Sequence, residues 1–241
     1  MEGQELFDPE PFDPTLIEAE KDLTDLERRE MWRYALYSNT AYTYYNKGLE
    51  PDYNKANNEL QEYLPNSELV KNLSDTHSTV ILKHHKNPAN NELTIAYRGT
   101  ADVADVKQDV GVAFGSPLEK VFKQKVGMFK SAQEKYDAVK AQYPGLKIDT
   151  TGHSLGGSLS FITAKNNDIH SFIFNAGSSP VDLATDLGLS HTKQNRSTHY
   201  HVAGDLVGLS QATIGTYYDK LVTVKPHSWI DAWKGGAKTL A

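Results

Sequence analysis

The chain has 241 residues, with 25 basic and 31 acidic side chains, a formal net charge of −6 and no cysteine. That length is ample for one layered α/β domain with a buried core. The acidic balance is spread along the chain and argues against a broad phosphate-binding surface, hence against nucleic acid as a partner. Absent cysteine excludes disulfides and thiolate metal sites and agrees with a reducing, cytoplasmic setting.

Residues 1 to 20 are rich in Glu, Asp and Pro and read as an extended arm, and residues 21 to 241 as a single domain. Met1 to Leu6 lacks the basic-then-apolar layout of a signal peptide, and no run approaches the roughly 18 apolar residues of a spanning helix. From 23 to 45 the spacing of Leu26, Met31, Trp32, Tyr34, Ala35 and Leu36 predicts a helix with one broad apolar face, capped by Thr24. Tyr37, Tyr42, Tyr44 and Tyr45 extend that face as packing residues. Residues 52 to 73 are polar and show no periodicity that assigns them.

Residues 78 to 84 and 92 to 97 read as two strands joined by a polar turn, a hairpin. A helix is predicted from 128 to 142, with Phe129, Ala132, Tyr136 and Val139 on one face and Pro144-Gly145 ending it. Strand 147–151, helix 155–165 and strands 170–175, 198–203 and 220–224 then alternate as a largely parallel sheet requires.

Gly152-His153-Ser154-Leu155-Gly156, followed by Gly157, matches G-x-S-x-G between a predicted strand and a predicted helix. A serine at such a junction sits on a sharp turn where glycines relieve crowding and the hydroxyl projects above the strand ends. The helix start beyond it presents free N–H groups and a positive dipole end, which favour a negatively charged intermediate. The alternative is a glycine-rich turn without chemistry.

A serine hydroxyl needs a histidine to take its proton and a carboxylate to hold that histidine. In α/β-hydrolases both partners follow the serine, acid before histidine. Asp205 lies just past the strand-like run 198–203, and His227 follows the strand-like run 221–224. Asp182 and Asp186 fall in a turn-and-helix segment, Asp219 precedes a strand and Asp231 follows the histidine, so they fit less well. His199 and His201 share one strand face and read as half-buried or solvated; a His-x-His metal site there lacks a third ligand. His153 reads as packing beside the serine turn, and His170 and His191 as structural or exposed. Neither a metal nor a cofactor is expected.

Taken together, these residues resemble the class 3 lipases, the group that includes the fungal triacylglycerol lipases. The resemblance rests on Thr94-Ile95-Ala96-Tyr97-Arg98-Gly99-Thr100, on the turn from Gly152 to Gly157, and on Asp105 and Asp109 after the first of these. Phe174 to Pro180 and Gly204-Asp205-Leu206-Val207 extend it. It implies an α/β-hydrolase fold, a mostly parallel central sheet flanked by helices, and an oxyanion hole from Thr100 and the backbone N–H of Leu155. The expected activity is cleavage of acyl esters, lipid esters first, by a Ser154–Asp205–His227 triad through an acyl-enzyme, with peripheral contact to lipid surfaces. A phospholipase or acyltransferase on the same triad, and a non-catalytic binding protein that kept the fold, are the alternatives. The sequence departs from the family at Lys125-Val126-Gly127-Met128, which keeps only the glycine of a His-x-Gly-Phe motif, and at Val106, where the family has tryptophan. Residues 101 to 125 occupy the place of the family's lid, with modest apolar content.

Overall fold

Thr24 opens the first helix by closing a capping box. Its side chain accepts the Glu27 N–H at 3.3 Å while the Glu27 carboxylate accepts the Thr24 N–H at 2.8 Å, which launches helix α1 (Asp25–Tyr44). A computed structural model of the chain describes residues 23–45, 50–99, 118–176, 196–202 and 220–224. The expected N-terminal arm lies outside them, as does most of the lid region. Along α1 the buried positions include Met31, Tyr34, Ala35, Tyr37, Ala41 and Tyr44. Leu26, expected on that face, is 69% exposed, whereas Leu23, just ahead of the helix, is 4% exposed and joins the core.

After α1 come helix α2 (Tyr53–Tyr63), strand β1 (Ser67–Leu69), a short 3₁₀ turn (Lys71–Leu73), β2 (Ser78–Lys83) and β3 (Glu92–Tyr97). Helix α3 (Leu118–Gln142), β4 (Lys147–Ser154), helix α4 (Leu155–Asn167), β5 (Ser171–Ala176), β6 (Ser197–Val202) and β7 (Lys220–Val224) complete the described chain. The unassigned stretch 52–73 therefore holds α2 and β1. Helix α3 starts ten residues before the expected 128 and takes in the end of the lid region.

The described strands form one sheet in the order β1-β2-β3-β4-β5-β6-β7. The first three are antiparallel, as the predicted hairpin requires, and β3 to β7 all run parallel. Side chains alternate across it with the period of two that pleating imposes. Ile81, Ala96, Phe172, Phe174, Tyr200, Val222 and Val224 join the α1 and α2 side chains on one face. Val80, Leu93, Ile95, Tyr97, Ile148 and Ile173 join Phe129, Ala132, Tyr136 and Val139 of α3 and Leu159 and Ile162 of α4 on the other. This is a mostly parallel α/β sheet covered by helices on both faces. No helix among the described residues is long and apolar enough to cross a membrane.

Two polar ties bind helices to β4. On the α1 side the Tyr34 hydroxyl donates to the buried Asp149 carboxylate at 2.6 Å, with Lys147 2.8 Å from the same oxygen. On the α4 side Thr150 and Ser160 exchange bonds: the Thr150 hydroxyl donates to the Ser160 carbonyl, and the Ser160 hydroxyl to Thr150 Oγ1. At the opposite limit of the antiparallel part, β1 is three residues long. The Leu69 N–H there donates to Asn57 Oδ1 at 2.9 Å, and the Tyr53 hydroxyl donates to the Leu69 carbonyl at 3.3 Å.

Candidate active site

Strand β4 ends in Ser154 and helix α4 begins at the next residue, so the serine alone makes the turn. Its backbone has φ 56° and ψ −129°, a conformation that an L-residue adopts only under constraint, at a cost on the order of 1–3 kcal/mol. The constraint is close packing at two glycines. A Cβ on Gly152 would run into the Gly156 carbonyl, and one on Gly156 into the Tyr97 carbonyl, so only hydrogen allows β3, the turn and α4 to meet. The strand register also shifts between His153 and Ser154, where pairing passes from Phe174 to Ala176.

Ser154 is 8% exposed, and its side chain does not cap α4, although it stands at the N-cap position. The hydroxyl is thus not committed to the helix it precedes. Leu155 is the first residue of α4, and a first-turn N–H has no partner inside its helix. Ser154 and the Leu155 N–H therefore stand side by side at one helix start. Thr100, Asp205 and His227 lie outside the described residues. The strands that lead to them end at the same edge of the sheet as Ser154: β3 closes at Tyr97, opposite Gly152, and Val202 of β6 pairs with Val224 of β7.

Around the turn the structure joins groups that the sequence named only for packing or for the family resemblance. Tyr42, near the end of α1, accepts the Gly99 N–H at 3.0 Å, and its hydroxyl lies 3.3 Å from Nδ1 of His153. Burial raises the Tyr42 phenol to about 12 and lowers the His153 imidazole to about 4, so both are neutral at pH 7. His153 packs beside the turn, as expected. Arg98 braces the end of β3: its Nε donates to the Thr76 carbonyl at 2.9 Å and its guanidinium stacks over Tyr45, 5.0 Å from the ring centre.

His199 and His201 do not have the half-buried or solvated surroundings expected of them; they are 0% and 4% exposed. The reason is that β6 lies inside the sheet, between β5 and β7. The Ala176 N–H donates to His199 Nε2 at 3.5 Å, and Thr223 Oγ1 is 2.7 Å from His201 Nε2. His170, read as structural or exposed, is part-buried and stacks on Phe172.

A mostly parallel sheet with a strained serine at the junction of strand and helix, glycines beneath it and a helix start behind it, is the architecture of the α/β-hydrolase fold class. Within that class the chain belongs to the phospholipase-like family described as the Tle-like phospholipase domain, whose model matches residues 33–226. Among solved structures, the nonglycosylated LIP2 lipase of Yarrowia lipolytica is 20% identical, covers 77% of this chain and 75% of its own, and has a TM-score of 0.48. Lipase II from Rhizopus niveus is 14% identical with 84% and 82% covered, also at 0.48. No curated protein matches the chain.

Proposed function

We propose that the protein is a serine esterase acting on acyl esters of lipids, with Ser154 as nucleophile, His227 as its base, Asp205 orienting that histidine, and Thr100 with the Leu155 N–H as oxyanion donors. The observation that carries this reading is the strained, buried Ser154, whose side chain makes no cap bond to α4 although it stands at the N-cap position. The family's description makes phospholipids the first substrate class to test.

In this mechanism His227 takes the Ser154 proton as Oγ attacks the ester carbonyl carbon, and the carbonyl oxygen takes up negative charge facing the oxyanion donors. Collapse breaks the bond to the alcohol oxygen. The imidazolium passes its proton to that oxygen, the alcohol leaves, and the acyl group stays on Ser154. Water, deprotonated by the same histidine, attacks the acyl carbon, and the fatty acid departs as the proton returns to Oγ.

Support for the partners is topological. Asp205 and His227 each follow by three residues a strand that ends at the serine's edge, and three extended residues reach about 10 Å. A fluorophosphonate should label the protein, and Ser154→Ala should abolish the label; labelling that survives the substitution removes Ser154 from this role. Assays on phosphatidylcholine vesicles, a triacylglycerol emulsion and p-nitrophenyl esters assign the substrate, with the phospholipid expected to be cleaved fastest. Turnover that rises tenfold when a long-chain alcohol is added, with acyl transfer to it, would instead mark an acyltransferase.

A further inference from the structure

We infer that Tyr42 is a positioning residue of the reaction, holding the end of β3 against the end of β4 so that the backbone entering Thr100 keeps a fixed place beside Ser154. The inference rests on the Ser154 reading above and adds to it a residue from a distant helix.

Three segments meet at one point here. The Tyr42 hydroxyl is 3.0 Å from the Gly99 nitrogen, 3.3 Å from His153 Nδ1 and 3.5 Å from the His153 carbonyl oxygen. A side chain on Gly99 would meet the Tyr42 hydroxyl at 2.6 Å, the His153 carbonyl at 2.5 Å and Ser154 Cβ at 3.3 Å. The backbone at Gly99 is therefore pressed against the nucleophile residue itself, with the tyrosine oxygen filling the remaining gap.

The hydrogen-bond roles follow from the inventory of the groups. A phenol has one proton to donate and lone pairs to accept. While accepting from the Gly99 N–H, the Tyr42 hydroxyl can donate toward His153, whose carbonyl oxygen lies at 3.5 Å and whose Nδ1 lies at 3.3 Å. Gly99 lies beyond the last paired residue of β3, so its N–H has no strand partner and the tyrosine satisfies it. One hydroxyl thus bonds to the residue before Thr100 and to the residue before Ser154. Oxyanion donors act only when held within about 0.5 Å of their productive place, and a misplacement of about 1 Å can cost on the order of 100-fold in rate.

The test is Tyr42→Phe, which keeps the ring and removes the hydroxyl. Tyr37→Phe serves as the control: it deletes a buried hydroxyl on the same helix, 2.9 Å from Ser67 on β1, three strands away from β4. With a soluble p-nitrophenyl ester, kcat of Tyr42→Phe should fall roughly 10- to 100-fold with KM within about twofold. Affinity for an alkyl boronic acid, whose adduct with Ser154 is tetrahedral and anionic, should fall by a similar factor. Tyr37→Phe should melt at a lower temperature and keep its kcat. Should Tyr42→Phe not fold, His153→Phe removes the other end of the same connection and carries the same expectation.

Wild-type labelling by fluorophosphonate combined with an unchanged kcat in Tyr42→Phe overturns the positioning role and leaves the Ser154 reading standing. Equal losses of kcat in both tyrosine variants also overturn it, because they mark general loosening. A wild-type protein that resists labelling sinks the Ser154 reading and this inference with it.

Discussion

Tyr34 and Asp149, 115 positions apart, share a hydrogen bond of 2.6 Å between α1 and the strand that carries Ser154. Burial, then the negative charge of Asp149, raises the Tyr34 phenol well above its ordinary range, so the tyrosine stays the donor. Lys147 is the other partner of that oxygen, and half of its side chain lies in solvent. Tyr34→Phe preserves the stack on Phe172, whose ring is parallel at 3.6 Å, and removes the bond alone. A hydrogen bond to a buried charge contributes about 1.5–3 kcal/mol, so urea unfolding of Tyr34→Phe should show a loss of that size with an unchanged slope. A loss below about 0.5 kcal/mol would show that Lys147 suffices to hold Asp149.

The glycine packing beneath the serine predicts a contrast between two identical substitutions. Gly156→Ala places a methyl group against the Tyr97 carbonyl, where neither partner is a flexible side chain. It should cost about 3 kcal/mol or more, or prevent folding. Gly127→Ala on α3 meets nothing within 4 Å and should stabilise the protein by about 0.8–1 kcal/mol through helix propensity. Thermal melts of the pair decide it, and a well-folded, active Gly156→Ala would contradict the packing.

Buried histidines set the acid limb of stability. Burial, and after it the neighbouring His201, holds His199 at about 3, and burial holds His153 at about 4. In the unfolded chain both take up protons near pH 6.5, whereas in the folded one they do so only well below that. Stability from these groups is therefore complete above about pH 6.5 and is lost as the pH falls toward 4 and 3. Urea midpoints measured from pH 7.5 to 4.5 should fall on acidification, and His199→Gln should flatten that fall. An equal slope in the variant would relieve His199 of the effect.

The triad assignment makes separable predictions about acids that lie far apart in the chain. Asp205→Asn should lower kcat by about 10⁴, as loss of the orienting carboxylate does elsewhere. Asp219→Asn should stay near wild type. Thr100→Val should lower kcat by about 10²–10³ with KM little changed, and Thr100→Ser should keep most of the rate. Reversal of the Asp205 and Asp219 results would move the acid to the other position.

Much of this architecture could be read from residue patterns. Strand 92–97 and strand 220–224 have the predicted limits, and Thr24 caps as expected, because apolar alternation and capping chemistry are local signals. Helix α2 escaped because only Ala56 and Leu60 are buried along it, too thin a stripe to register as periodicity, while Asn57 is spent on β1. The start of α3 was set late because the charged stretch up to Lys125 was read apart from the helix, which in fact begins at Leu118. In the site, Ser154 was legible because strand, glycines and helix are contiguous around it. Tyr42 was not: five tyrosines crowd 34 to 45, and only the folded positions of Gly99 and His153 separate it from its neighbours.

The short β1 has a consequence for how this molecule behaves in a crowd of its own copies. An open sheet margin normally offers a row of unfilled donors and acceptors onto which a foreign strand can zip. Here Asn57 and Tyr53 already occupy the Leu69 amide and carbonyl, and the margin is only three residues long. A neighbour arriving at that side finds no template, so templated stacking of one sheet onto another is blocked there by two side chains of α2.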